Sequence, residues 1–167
     1  MNSVYDEKQQ PFIAQPLVYM ENEFQNLDRH LLTKMQSLLS QCFPHLSPAQ
    51  FTWQGFSTFW LQDPSTGQVM ALLTIRPEKF QNAVMSYIAN VCTAAQYRRT
   101  GAMRYLLQQV LSYLKRLGWT QVMLDVWLTN SPGRKLYQSL GFFDSAYSPE
   151  YNPGIKQQDW SVRMLLR

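Results

Sequence analysis

The sequence has little of what builds stapled or metal-held folds, with two cysteines and two histidines in 167 residues. Cys42 and Cys92 lie far apart in sequence, and no disulfide framework is expected. They read as small core hydrophobes, and a reducing, cytoplasmic setting is expected. No metal site is expected. No apolar run is long enough to span a bilayer, so no membrane association is expected. Residues 1–10 carry Asp6 and Glu7 and no apolar stretch, which argues against a secretory leader. Repeats, low-complexity tracts and long linkers are absent, so residues 1–167 are expected to form a single domain. Charged residues are sparse at 16 %, yet hydrophobic residues reach 46 %, which places the chain among globular proteins. The net charge of +4 comes from basic residues that are mostly scattered. That distribution speaks against nucleic acid as a partner.

Patterning predicts a mixed α/β domain. Residues 12–20 read as a first strand. From Asp28, an N-cap residue, apolar positions recur at helical spacing from Leu31 to Cys42, and Pro44 closes the helix. Residues 47–53 read as a helical turn or irregular loop. Residues 56–61 and 69–75 flank Asp63-Pro64-Ser65-Thr66-Gly67 and read as a hairpin. Residues 84–93 are apolar on both faces, which suggests a central strand. Met103, Leu106, Leu107, Val110, Leu111, Leu114 and Leu117 mark one face of the clearest helix, and Gly118 stands at its C-terminal cap. A strand over 121–128 follows. Ser131-Pro132 then supplies an N-cap and a first-turn proline for a short helix ending at Gly141. A loop leads to a last strand over 160–166. This order puts a β-α-β crossover at the centre of the domain.

The stretch from Asn90 to Ala102 leaves the central strand, makes a basic turn and enters the long helix. A helix N-terminus presents unpaired N–H groups and partial positive charge, which suits phosphate. Gly101 lets backbone approach a ligand, and Arg98, Arg99 and Arg104 add charge. A second motif, Asn130 through Phe142, follows the next strand.

Together these motifs resemble the GNAT superfamily of N-acetyltransferases. Arg98-Arg99-Thr100-Gly101-Ala102-Met103 is similar to the family's first signature, and Asn130 to Phe142 is similar to its second. The resemblance implies a GNAT-like fold, with a twisted, mostly antiparallel sheet, a β-α-β core and flanking helices. It also implies acetyl-coenzyme A as cosubstrate. Amides from Arg99 through Thr100, Gly101, Ala102 and Met103 to Arg104 would hold its pyrophosphate. Val91, Cys92 and Thr93 would pair their backbone with the pantetheine arm, along an edge opened by strand splaying. Asn130 would bind the same arm, and Tyr137 would stand near the thioester sulfur. Met103 departs from the Gly or Ala that the family prefers. Its helical spacing with Leu106, Leu107 and Val110 predicts that its side chain enters the core.

The expected reaction is acetyl transfer to a primary amine of a small molecule or peptide, by direct attack in a ternary complex. Tyr137 is the expected acid for the departing thiolate. The base is open, with Glu78, Asp125, Asp144 and Glu150 as candidates and water as the alternative. Cys92 is a weak candidate nucleophile, because His30 and His45 lie outside both motifs. Acceptor recognition is expected from residues 43–53 and 147–153, with Phe51, Trp53, Phe56, Tyr147 and Tyr151 as aromatics and Glu21, Glu23 and Glu150 as ammonium partners. A non-catalytic acyl-coenzyme A sensor is the alternative. A homodimer is left open.

Overall fold

The computed structural model describes residues 28–45, 56–147 and 161–167. The expected strand over 12–20, the loop over 47–53 and the acceptor candidates Glu21, Glu23, Phe51, Trp53, Glu150 and Tyr151 lie outside them. Helix α1 (Arg29–Cys42) opens where Asp28 accepts a hydrogen bond from the His30 amide, and it stops two residues before Pro44. Strand β1 (Ser57–Gln62) and strand β2 (Val69–Phe80) form the expected hairpin. Strand β3 is Ala83–Thr93, followed by a 3-10 turn over Ala95–Tyr97. Helix α2 (Ala102–Arg116), strand β4 (Val122–Trp127) and helix α3 (Ser131–Ser139) come next. Strand β5 is Phe143–Tyr147 and strand β6 is Ser161–Leu166.

The six strands form one sheet in the order β1-β2-β3-β4-β6-β5, antiparallel except for the β3–β4 pair. That parallel pair is joined through α2, which gives the β-α-β core.

Each face of the sheet is covered by a different helix. Met103, Leu106, Leu107 and Val110 of α2 pack with Leu73, Ile75, Ile88, Leu124 and Met164. Met35, Leu38 and Leu39 of α1 pack on the opposite face against Trp60, Leu72 and Cys92. Leu107 is fully buried, and truncation to Ala at such a site costs about 2–5 kcal/mol.

Two elements differ from expectation. Strand β2 runs on through Pro77 to Phe80, because β3 supplies an antiparallel partner as far as Phe80↔Ala83. Phe143–Tyr147, read as loop, is a strand because β6 pairs with it. In addition, α3 is capped by Asn130 rather than Ser131. The Asn130 side chain accepts from the Gly133 amide at 3.0 Å.

The cysteines require a correction. Cys42 and Cys92 form a disulfide and are not separate core thiols. A sequence separation of 50 hides the contact. Because α1 lies across the β2–β3 face, its last residue falls beside the end of β3, with the two Cα atoms 5.9 Å apart. The expectation of a reducing compartment loses its cysteine argument.

Candidate active site

Strands β3 and β4 pair only over Ser86–Ile88 with Val122–Leu124. Past Ile88 they part. β3 continues to Thr93 along β2, and β4 continues to Trp127 along β6. The edge of β3 from Ala89 to Thr93 therefore lacks a strand partner on the β4 side among the described residues. Such an edge is a template for an extended polar ligand.

A local irregularity marks where the strands part. The β2–β3 register shifts between Leu72 and Thr74, and Asn90 adopts φ 52°, a left-handed conformation that asparagine tolerates. Asn90 Nδ2 donates to Thr74 Oγ1 at 3.0 Å, and Thr74 Oγ1 donates to the Ala89 carbonyl at 3.3 Å. These side-chain bonds pin the bulge.

The basic turn follows. Arg99 has φ 64° and Gly101, the α2 N-cap, has φ 88° with no side-chain cap. The first α2 bond back to this cap runs from the Tyr105 amide to the Gly101 carbonyl (2.9 Å). By helix geometry the amides before Tyr105 point forward, out of the helix end. A Cβ built on Gly101 would meet nothing within 4 Å, so this end opens on free space. Two bonds fix the turn's shape: Thr100 Oγ1 donates to the Tyr97 carbonyl (2.7 Å) and Arg98 Nε to the Thr93 carbonyl (3.3 Å).

Tyr97 also reaches outward, donating from its hydroxyl to Asp63 Oδ2 at 2.7 Å. Asp63 accepts from the Ser65 hydroxyl and amide as well. The Ser65 hydroxyl foremost, and then Tyr97, hold the Asp63 carboxyl well below the usual carboxylate range. The β1–β2 turn thereby braces the basic turn.

A cleft of about 830 Å³ runs between these parts. Val91, Cys92, Thr93, Arg98, Arg99, Gly101, Ala102, Met103, Arg104, Asn130 and Tyr137 all line it. Of the residues expected to hold the cosubstrate or act on its sulfur, Thr100 alone is absent from the lining; its hydroxyl bonds the Tyr97 carbonyl instead. Met103 is 7 % exposed and packs in the core, as its spacing predicts. The cleft also includes residues the sequence reading did not single out, Gly133 and Tyr97 among them. Gly133 stands under Asn130, and a Cβ there would come within 2.7 Å of Asn130 Nδ2. Its fixed place in the second motif was the available signal.

Tyr137 is 6 % exposed, with its ring edge-on to Phe142 at 6.0 Å. Burial raises its phenol far above the ordinary value, so the hydroxyl stays protonated throughout the neutral range.

Three of the four expected base candidates lie elsewhere, and Glu150 is outside the described residues. Glu78 pairs with Arg76 (2.8 Å), and Asp144 pairs with Arg134 (2.7 Å). Asp125 is held by Arg163 through both oxygens (2.9 and 2.8 Å) and accepts from the Tyr87 hydroxyl. None of these three lines the cleft. Phe56, expected beside the acceptor, lies against the Arg76 guanidinium, 5.1 Å from the ring centroid. Among the described residues no group of three or more His, Cys, Asp or Glu could hold a metal ion, and no helix is long and apolar enough to cross a membrane.

Known proteins share this fold. The chain is 29 % identical over 77 residues to the [ribosomal protein bS18]-alanine N-acetyltransferase of Escherichia coli strain K12, covering 46 % of this chain and 52 % of that protein. It thus aligns with about half the length of the curated relatives it matches. The crystal structure of the ribosomal-protein-S18-alanine N-acetyltransferase from Escherichia coli superposes with a TM-score of 0.67 at 21 % identity, over 91 % of this chain and 93 % of that one. The NatC complex bound to Gag peptide and CoA gives a TM-score of 0.68 at 15 % identity, over 93 % of this chain and 97 % of that one. The sequence model of the Acetyltransferase (GNAT) family matches residues 24–142, more than half of the chain. A splayed parallel pair, a basic turn capping α2 and a buried tyrosine on α3 thus sit in a chain that belongs to the GNAT acetyltransferase family.

Proposed function

We propose that the protein transfers an acetyl group from acetyl-coenzyme A to the primary amine of a peptide or small molecule, by direct attack in a ternary complex. One observation carries this reading: the open β3 edge, the bare N-terminus of α2 and Tyr137 all face one cleft. The thioester supplies an acetyl group already activated for attack.

The residues present fit that cosubstrate. The free space before Gly101, with Arg98, Arg99 and Arg104 around it, suits a pyrophosphate. Backbone groups of Val91–Thr93 and the Asn130 side chain suit the amide-bearing pantetheine arm. The Tyr137 hydroxyl keeps its proton by burial and can give it to a departing thiolate.

The acceptor class rests on the described cleft lining, which holds no carboxylate or histidine. Glu78, Asp125 and Asp144 are ion-paired outside the cleft, so the described residues support a route in which the amine arrives already neutral or loses its proton to water. An α-amine, with a pKa of about 8, is roughly a tenth neutral at pH 7, against about one in 2,500 for a lysine amine. A peptide N-terminus or another weakly basic amine is therefore favoured over lysine. The names of the bS18-alanine relatives, and the peptide in the NatC complex, support a peptide acceptor.

The same absence favours the second reading, an acyl-coenzyme A sensor without chemistry. Thiol release from acetyl-coenzyme A, screened against α-amine peptides, lysine peptides and small amines, separates the two. Turnover highest with α-amines supports the proposal. Coenzyme binding without turnover on any amine supports the sensor.

A further inference from the structure

The Cys42–Cys92 disulfide joins the last residue of α1 to the β3 edge, and both cysteines line the cleft that the thioester reading assigns to a thiol-bearing cosubstrate. Its two sulfurs are not equivalent. Cys92 is 2 % exposed beneath α1, whereas Cys42 is half-buried at the helix end, beside Phe43 in the cleft wall. An incoming thiol therefore has access to Cys42, with Cys92 as the leaving group. The same cleft carries Arg98, Arg99 and Arg104, and cationic surroundings favour the thiolate form that attacks a disulfide.

We propose that this disulfide is a thiol-exchange site: a thiol held in the cleft attacks Cys42 Sγ, forms a mixed disulfide there, and releases Cys92 as a thiolate that takes up a proton. The proposal rests on the coenzyme reading of the cleft for its choice of thiol, coenzyme A. The step is balanced. One S–S bond breaks and one forms, the attacking thiol gives up its proton and Cys92 gains one. No outside oxidant or reductant is needed. A second thiol, or Cys92 itself, reverses the adduct.

The consequence is regulatory. In the closed form α1 is tied to the strand edge, and Phe43 is fixed in the wall. In the opened form the adduct occupies the cleft and the α1 end is no longer tied to β3. Accumulated free thiol product would then switch off its own source until the bridge recloses.

The test uses the full-length oxidised protein, incubated separately with coenzyme A and with glutathione at equal concentration. Samples are quenched with an alkylating agent and read by intact and peptide mass. The expected result is one coenzyme A per chain on the Cys42 peptide with Cys92 alkylated, formed at least about ten-fold faster than the glutathione adduct because binding presents the thiol. The Cys92→Ser variant, which cannot reclose, should accumulate a stable adduct on Cys42 when treated with coenzyme A disulfide. Calorimetry with acetyl-coenzyme A runs in parallel. If acetyl-coenzyme A binds but no thiol opens the bridge, or the adduct forms on Cys92, the proposal is overturned and the coenzyme reading stands. If acetyl-coenzyme A does not bind and both thiols react equally, both are overturned. Free Cys42 and Cys92 in protein purified without reductant also overturn the proposal.

Discussion

Replacing Tyr137 with Phe isolates the hydroxyl from the ring. The ring is 6 % exposed and packs edge-on to Phe142, a contact that phenylalanine keeps. Burial alone acts on the hydroxyl, with no hydrogen-bond partner among the described residues, so its removal should change stability by no more than about 1 kcal/mol. Catalysis should suffer far more. A positioned acid contributes about 10² to 10⁴ in rate, and a loss of about 10² corresponds to roughly 2.7 kcal/mol on the barrier.

The assay has three arms: thiol release at saturating acetyl-coenzyme A, calorimetry with the same cosubstrate, and thermal unfolding. Turnover should fall about 10²-fold, within the range for a lost general acid, with affinity and melting temperature nearly unchanged. Alkaline unfolding gives a further check. Burial raises the folded-state phenol above its ordinary value of 10.0, so above that pH the unfolded chain loses a proton that the folded chain keeps. Stability therefore falls as pH rises past 10, and Tyr137→Phe should soften that fall. Undiminished turnover in the variant would refute the assignment of the acid.

Gly101→Val places a branched side chain at φ 88°, where left-handed geometry costs about 1–2 kcal/mol, and fills the open space before α2. Modest destabilisation with at least about ten-fold weaker acetyl-coenzyme A binding is expected by calorimetry, and unchanged affinity would remove the pyrophosphate from this position. The Arg98→Ala, Arg99→Ala double variant should weaken binding similarly, since hydrogen bonds to charged groups are each worth about 1.5–3 kcal/mol. The Asp63 carboxylate, held below its ordinary value of 3.8 by Ser65 and Tyr97, adds stability above that pH which is lost as acid protonates it. Asp63→Asn should shrink the acid-induced loss of stability and loosen Tyr97 in the cleft wall, read as an acid unfolding titration and a weaker coenzyme affinity. With no carboxylate lining the cleft among the described residues, the rate should climb with pH toward the acceptor amine's own pKa; an ascending limb near pH 6–7 with a lysine peptide would instead reveal an enzymatic base.

Local signals carried the elements that flank the site. Asp28 and Gly101 punctuate α1 and α2 as their residue types require, and the α2 stripe placed Met103 in the core. What depends on distant pairing was not legible. The β5 strand exists because β6 lies beside Phe143–Tyr147, and β2 survives Pro77 because β3 pairs with it. The disulfide depends on how α1 crosses the sheet, a placement no local pattern encodes. The parting of β3 from β4 was anticipated only through family resemblance, yet it has a local mark in Asn90, whose side chain reaches Thr74 to hold the bulge. Ion pairs hold Glu78, Asp144 and Asp125 away from the cleft, and Arg163 reaches Asp125 from 38 residues away.

The most direct test of acetyl transfer follows product by mass. The protein is mixed with acetyl-coenzyme A and a peptide carrying both a free N-terminus and a lysine, and the peptide is sequenced after quenching. The account predicts a single acetyl group on the N-terminal amine, formed in step with released thiol. Tight binding of acetyl-coenzyme A with no acetylated product from this peptide or any small amine would contradict it.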